Sequence, residues 1–144
     1  MKFSLTSLLL PLALSISALS QTIAIGAPAD LSSVHAGANL HVEVDRPNSL
    51  SGSTEVAIVI AINSCHDTTC VPPDAILGSI LYNGPYKPAL QTNAAFKPPH
   101  QNFTVKIPES LQKGRAQLAV YHVALIGAGP APFTETRNVT LNIL

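Results

Sequence analysis

Residues 56–62 read Val-Ala-Ile-Val-Ile-Ala-Ile, and their reading decides the fold. The run is continuously apolar and mostly β-branched, which suits a central strand buried on both faces or nearly so. A buried helix is the competing reading for so short a run. β-branching and the turn chemistry flanking it, with Arg46-Pro47-Asn48 and Ser51-Gly52-Ser53 upstream, decide for a strand. Further upstream, Leu40-His41-Val42-Glu43-Val44 alternates apolar and polar, and Gln21–Gly26 predicts a first strand closed by a Pro28-Ala29-Asp30 turn. Downstream, strands are predicted at Ile76–Tyr82, ending at Asn83-Gly84-Pro85, and at Phe103–Ile107, followed by Pro108 and a turn at Gly114. Arg115–Ile126 is the longest strand-like stretch. Residues 127–132 then predict a loop before a last strand at Asn138–Ile143.

About seven strands and no helical period define an all-β chain. Purely parallel arrangements need crossover helices, which this pattern does not supply. The expected architecture is an immunoglobulin-like or fibronectin-like β-sandwich. The chain has no Trp, and its two cysteines lie too close together to bridge the layers, so the topology within that class stays open.

The first twenty residues, MKFSLTSLLLPLALSISALS, combine Lys2, an apolar stretch over Leu8–Leu14 and the small-x-small end Ala18-Leu19-Ser20. They predict a cleaved secretory signal over 1–20, leaving 124 of 144 residues as a single domain over 21–144. The apolar run is too short to span a bilayer. The chain has 8 basic and 8 acidic residues and loses Lys2 with the leader, leaving a formal charge of −1. That balance argues against nucleic acid or an anionic membrane as partner. A monomer is expected, with no membrane span.

Cys65 and Cys70 form an even pair in a chain bound for an oxidising compartment, and a disulfide is favoured over a metal site or free thiols. Closing so short a loop contributes about 2 kcal/mol in the chain-entropy picture and pins a local loop. Two N-x-Thr acceptors, Asn102-Phe103-Thr104 and Asn138-Val139-Thr140, fall in strand-like stretches. In both, alternation puts the asparagine on the wet face, as N-glycosylation requires.

The 83–101 segment, NGPYKPALQTNAAFKPPHQ, is long for a compact domain, and connections of this length are often functional. It predicts either a crossing between sheets, with a short edge strand near Leu90–Phe96, or a binding loop. With Phe133 from the 127–133 loop, the residues offered for partner contact are Tyr82, Asn83, Tyr86, Lys87, Phe96, Lys97 and His100.

Five histidines, His35, His41, His66, His100 and His122, raise the question of a metal. His41 and Glu43 share the predicted wet face of one strand and could reach one ion, but a solvated strand face is the plainer reading. His122 shares a face with Leu118 and Val120 and is expected to be a core histidine satisfied by a hydrogen bond. Tyr121 falls on the opposite face. No Gly-x-Ser-x-Gly is present, and the acids read as scattered over strand edges and turns, so no enzyme and no cofactor are expected.

Several stretches taken together, HVEVDRPNSLSGSTEVAIVIAI, the following Cys65 and Cys70, GSILYNGPY, PPHQNFTVKIP, KGRAQLAVYHVALIGAGPAPF and ETRNVTLNI, resemble the fungal necrosis-inducing secreted proteins, small effector-like proteins. The resemblance covers most of the mature chain. It implies a non-enzymatic β-sandwich released from a fungus, which suppresses plant immune signalling by binding receptor-associated kinases. A kinase partner inside the host cell would require uptake. The runner-up is a wall-associated or carbohydrate-binding secreted module with no host target.

Overall fold

The computed structural model describes residues 22–49 and 52–144; the leader read at 1–20 lies outside them. Among the described residues the chain runs through eight strands, β1 Ala24–Ala27, β2 Ser32–Val34, β3 Asn39–Asp45, β4 Ser53–Ser64, β5 Ser79–Gly84, β6 His100–Lys106, β7 Gly114–Ile126 and β8 Ala131–Ile143. They form a two-layer sandwich. One sheet has the order β1-β3-β6 and the other β2-β8-β7-β4-β5. All pairings are antiparallel except β2 with β8, which run parallel.

The alternation that identified the strands also builds the core. Val42 and Val44 of β3 and Phe103 and Val105 of β6 face Ile58, Ile60 and Ile62 of β4, Leu118 and Val120 of β7, and Leu141 and Ile143 of β8. Each such aliphatic side chain, moved out of water, contributes on the order of 1.5–3 kcal/mol. The 56–62 run is central as expected, although its two faces differ. Ile58, Ile60, Ile62 and Ala61 are fully buried, Val59 is half-buried, and Val56 sits at a bulge and is 46% exposed.

Three expectations need correction. β2 is an additional strand, three residues long, whose partner lies more than a hundred residues away. The 127–132 loop shrinks to a four-residue hairpin connection, where Gly127 adopts φ +81°. Ala131, Pro132 and Phe133 belong to β8, paired with Ile126, Leu125 and Ala124. Pro132 is tolerated because β2 flanks only Leu141–Ile143, so the first half of β8 is a sheet edge where a missing N–H costs no ladder bond. The short strand near Leu90–Phe96 is replaced by a 3-10 turn over Thr92–Ala94 and a single bridge between Ala89 and His100.

A strapped turn as candidate interaction surface

Residues 85–99 connect β5 to β6 as an ordered strap, tied at every few residues. Tyr82 Oη donates to Pro85 O at 2.7 Å, and the Lys87 amide donates to Gln101 Oε1 at 2.7 Å. Ala89 and His100 exchange backbone hydrogen bonds of 3.1 Å, and Lys97 N donates to Ala94 O at 2.9 Å. The end of the strap is fixed by Arg46 N donating to Pro99 O at 2.7 Å. The many prolines supply the remaining stiffness.

The strongest tie is ionic. Lys97 Nζ donates to both carboxylate oxygens of Glu43, at 2.9 and 2.8 Å. Those bonds hold the Glu43 carboxyl below the usual carboxylate range, against the opposing effect of burial. Glu43 is thus buried under the strap, not solvated beside His41 as its alternation suggested; His41 itself is exposed. Asp45, next along the same face, is pushed up by its own burial and by the neighbouring Glu43 charge. Both carboxyls lie over Gly26, where a Cβ would approach Glu43 Oε1 to 2.5 Å and Asp45 Oδ2 to 2.8 Å, so a larger residue there would require the carboxylates to shift.

This scaffold presents apolar side chains to water. Phe96 is 87% exposed and Leu90 is 65% exposed, at either end of the 3-10 turn. The bonds at Ala89, Ala94, Lys97 and His100 fix the backbone that carries them. The eight residues offered for partner contact separate accordingly. Asn83, Lys87 and Phe96 are exposed, and Lys97 is half-buried in its ion pair. Tyr82 is half-buried with its ring 4.7 Å from that of Phe103. Phe133 is half-buried in β8, its ring 6.4 Å from that of His122. Tyr86 and His100, at 2% and 3% exposure, are packed inside and present nothing to a partner. Tyr86 donates its hydroxyl to Val44 O at 3.0 Å, and His100 Nδ1 lies 2.8 Å from Pro98 O. Leu90 reads in the sequence only as the start of a short edge strand; its signal for contact is one large aliphatic residue between Pro88 and a polar stretch.

The second polar assembly is internal. His122 of β7 is fully buried and held on both sides, Nε2 against Glu55 Oε2 of β4 and Nδ1 at 3.1 Å from Glu135 Oε1 of β8. Both ring nitrogens face carboxylates, and only the imidazolium can donate to both. Burial pulls the imidazole down, but the bonds to Glu135 and Glu55 outweigh it and the net shift is upward. Glu55 is in turn pushed up by burial and more strongly pulled down by His122 and Arg46. Arg46 Nε donates to Glu55 Oε1 and Nη2 to Ser53 Oγ, both at 2.8 Å. Glu135 Oε1 also accepts from Ile23 N at 2.8 Å, and Arg137 Nε donates to Ile23 O at 3.2 Å. The Tyr86 ring meets His122 edge-on at 5.5 Å. The acids Glu55 and Glu135 are therefore interior residues, not edge residues. Buried under Tyr86 and Phe133, the network clamps the chain at Ile23, just ahead of β1, to β4, β7 and β8.

Cys65 and Cys70 form a disulfide that closes the loop leaving β4. His66, within that loop, places Nδ1 2.8 Å from Gln112 Oε1. Among the described residues no group of three or more His, Cys, Asp or Glu could hold a metal ion, and no helix is long and apolar enough to cross a membrane. Asn102 and Asn138 are both exposed, on the outer faces of the small and the large sheet respectively.

Fold and site together define a small, disulfide-pinned β-sandwich that displays an apolar turn on a rigid strap. The family model described as the Nis1 family matches residues 18–142, and the chain belongs to this family, which is of the fungal effector type. No curated protein sequence matches it. Among solved structures it is similar to a superoxide reductase (neelaredoxin) from Ignicoccus hospitalis, at 14% identity over 85% of this chain and 81% of that one, with a TM-score of 0.44.

Proposed function

We propose that the protein is a secreted, monomeric fungal effector that acts by protein–protein contact rather than catalysis. It binds receptor-associated kinases of plant immune signalling after uptake into host cells, and carries the necrosis-inducing character that its sequence resemblance implies. Membership of the Nis1 family is the observation that carries the effector class. The choice of surface rests on Phe96 and Leu90, held out on the strap by the Lys97–Glu43 pair. An exposed aromatic on a preordered turn binds without the ordering cost of a flexible loop. The formal charge near zero suits a protein partner better than a nucleic acid.

The test is a pull-down from plant leaf extract with the purified mature domain, read by mass spectrometry beside a Phe96→Asp, Leu90→Asp double variant. Enrichment of membrane-associated kinases by the wild-type domain and not by the variant is the expected result. Equal recovery by both would remove the strap from the account. Absence of kinases, with sedimentation on insoluble chitin or glucan, would replace the effector reading with the wall-module one.

A further inference from the structure

The outer face of the five-stranded sheet is unusually apolar for a surface. β4 contributes Ala57 and Val59 to it and β7 contributes Tyr121 and Val123, while Ala61 and Ala119 on the same side are already covered by their neighbours. Val59, Tyr121 and Val123 are half-exposed there, while Ile80 of the neighbouring β5 is 54% exposed. Along the β8 side of this face stands the sequon Asn138-Val139-Thr140. Asn138 pairs with Ala119, and Tyr121, paired with Thr136, is its diagonal neighbour on the same face.

The acceptor amide is already oriented. Asn138 Nδ2 donates to Gln117 Oε1 at 3.2 Å, and Gln117, only 5% exposed, is fixed from its other end by donating Nε2 to Val71 O at 2.9 Å. N-glycosylation replaces one of the two Nδ2 hydrogens and leaves the other for Gln117. The sugar therefore attaches to a nitrogen whose direction the sheet sets. β7 and β4 lie about 5 and 10 Å from β8, within reach of the first two sugar residues. An N-acetylglucosamine ring offers a flank of C–H bonds and an acetamide methyl, which suit a tyrosine face and small aliphatic neighbours. The second acceptor, Asn102, lacks this setting: it pairs with Glu43 on the small sheet, with His41 and Asp45 as its diagonal neighbours.

We propose that the apolar outer face of the large sheet is covered by the chain's own N-linked glycan, carried on Asn138 and laid across Tyr121, Val123 and Val59. The proposal rests on passage through the secretory pathway, which the leader at 1–20 predicts, and not on the effector reading.

The full-length chain is secreted from a fungal host and Asn138 occupancy is read by glycopeptide mass spectrometry. Thermal midpoint and binding of an apolar dye are then compared before and after enzymatic removal of glycan from the folded protein. The same comparison is made for Thr140→Ala, which abolishes the sequon but keeps the Asn138–Gln117 bond, and for Asn102→Gln. The expected result is an occupied Asn138, a midpoint lowered by about 4 °C and dye binding raised several-fold on stripping or in Thr140→Ala. Asn102→Gln should move neither quantity, and Tyr121→Thr should abolish the difference between glycosylated and stripped protein. An unoccupied Asn138, stripping without effect, or a glycan effect untouched by Tyr121→Thr would each overturn the proposal. So would an unglycosylated protein that covers this face by dimerising.

Discussion

Lys97 closes the strap onto the sandwich by donating Nζ to both carboxylate oxygens of Glu43, a residue 54 positions earlier in the chain. The Glu43 side chain is 7% exposed and that of Lys97 is 37% exposed, so the carboxylate depends on this cation far more than the cation depends on it. Lys97→Met therefore leaves a buried carboxylate unpaired and is expected to cost about 1–3 kcal/mol in urea unfolding. Hydrogen exchange should show a second effect: the Lys97 amide, bonded to Ala94 O, loses protection while the β7 amides keep theirs. Retained protection at Lys97 would show that the prolines and the Ala89–His100 bridge suffice.

His122 should give the protein a stability optimum in mildly acid solution. Its folded pKa is raised, so its contribution is complete below the ordinary histidine value of about 6.5 and is lost as pH rises through the folded value. Glu55 works in the opposite sense. Its folded pKa is lowered, so its contribution is present above the ordinary carboxyl value of about 4.3 and is lost as pH falls through the folded value. Thermal midpoints measured from pH 3 to pH 9 should peak between those ordinary values. His122→Leu should lower the midpoint throughout, by the equivalent of about 3–5 kcal/mol near pH 6, because Glu55 and Glu135 lose their shared partner. A flat profile above pH 6 would contradict the charged state assigned to the imidazole.

Tyr86 is a structural residue of the strap. Tyr86→Phe should cost about 1–3 kcal/mol by leaving Val44 O without its hydroxyl donor, and should leave partner binding unchanged. Tyr86→Ala should cost about 3–5 kcal/mol, so any binding it abolishes reports on folding. Chemical unfolding alongside binding of both variants checks this; a Tyr86→Phe variant of full stability and no binding would return Tyr86 to the contact surface.

Asp45→Asn should stabilise the protein at neutral pH. The Asp45 carboxyl is raised by burial and by Glu43, which means that ionising it opposes folding. Its Oδ1 is buried without a hydrogen-bond partner. An amide there removes the repulsion and offers a donor, for a gain of a few tenths to about 1 kcal/mol once solvent screening is discounted. The advantage should shrink as pH falls toward 4, where the aspartic acid regains its proton. Equal midpoints at pH 7 would show that Lys97 already neutralises the pair.

The strands legible in the sequence were those whose burial is periodic or continuous. β4 and β7 follow from β-branched runs, and β3 and β6 from alternation, because each buries one defined face. β2 was illegible because Ser32-Ser33-Val34 has no pattern of its own and is made a strand by β8. The start of β8 was hidden by Gly127, Gly129, Pro130 and Pro132, whose turn chemistry outweighs pairing unless the free sheet edge is known. The histidine clamp was half visible. His122 read as a satisfied core residue, but its partners depend on register: Glu135 pairs with it directly across the hairpin, and Glu55 pairs with Ala124 beside a bulge. The strap was marked by its length and prolines. Which of its aromatics point inward was not, because an irregular segment has no period to read.

Titration calorimetry of the protein against a recovered kinase domain decides whether the strap turn is the contact surface. Phe96→Asp is compared with Leu31→Asp, a substitution of a similarly exposed apolar residue ahead of β2. Phe96→Asp is expected to weaken binding by about 30-fold or more, as loss of a central aromatic anchor does, while Leu31→Asp leaves the affinity unchanged. Unchanged affinity for Phe96→Asp, or an equal loss in both variants, would contradict it.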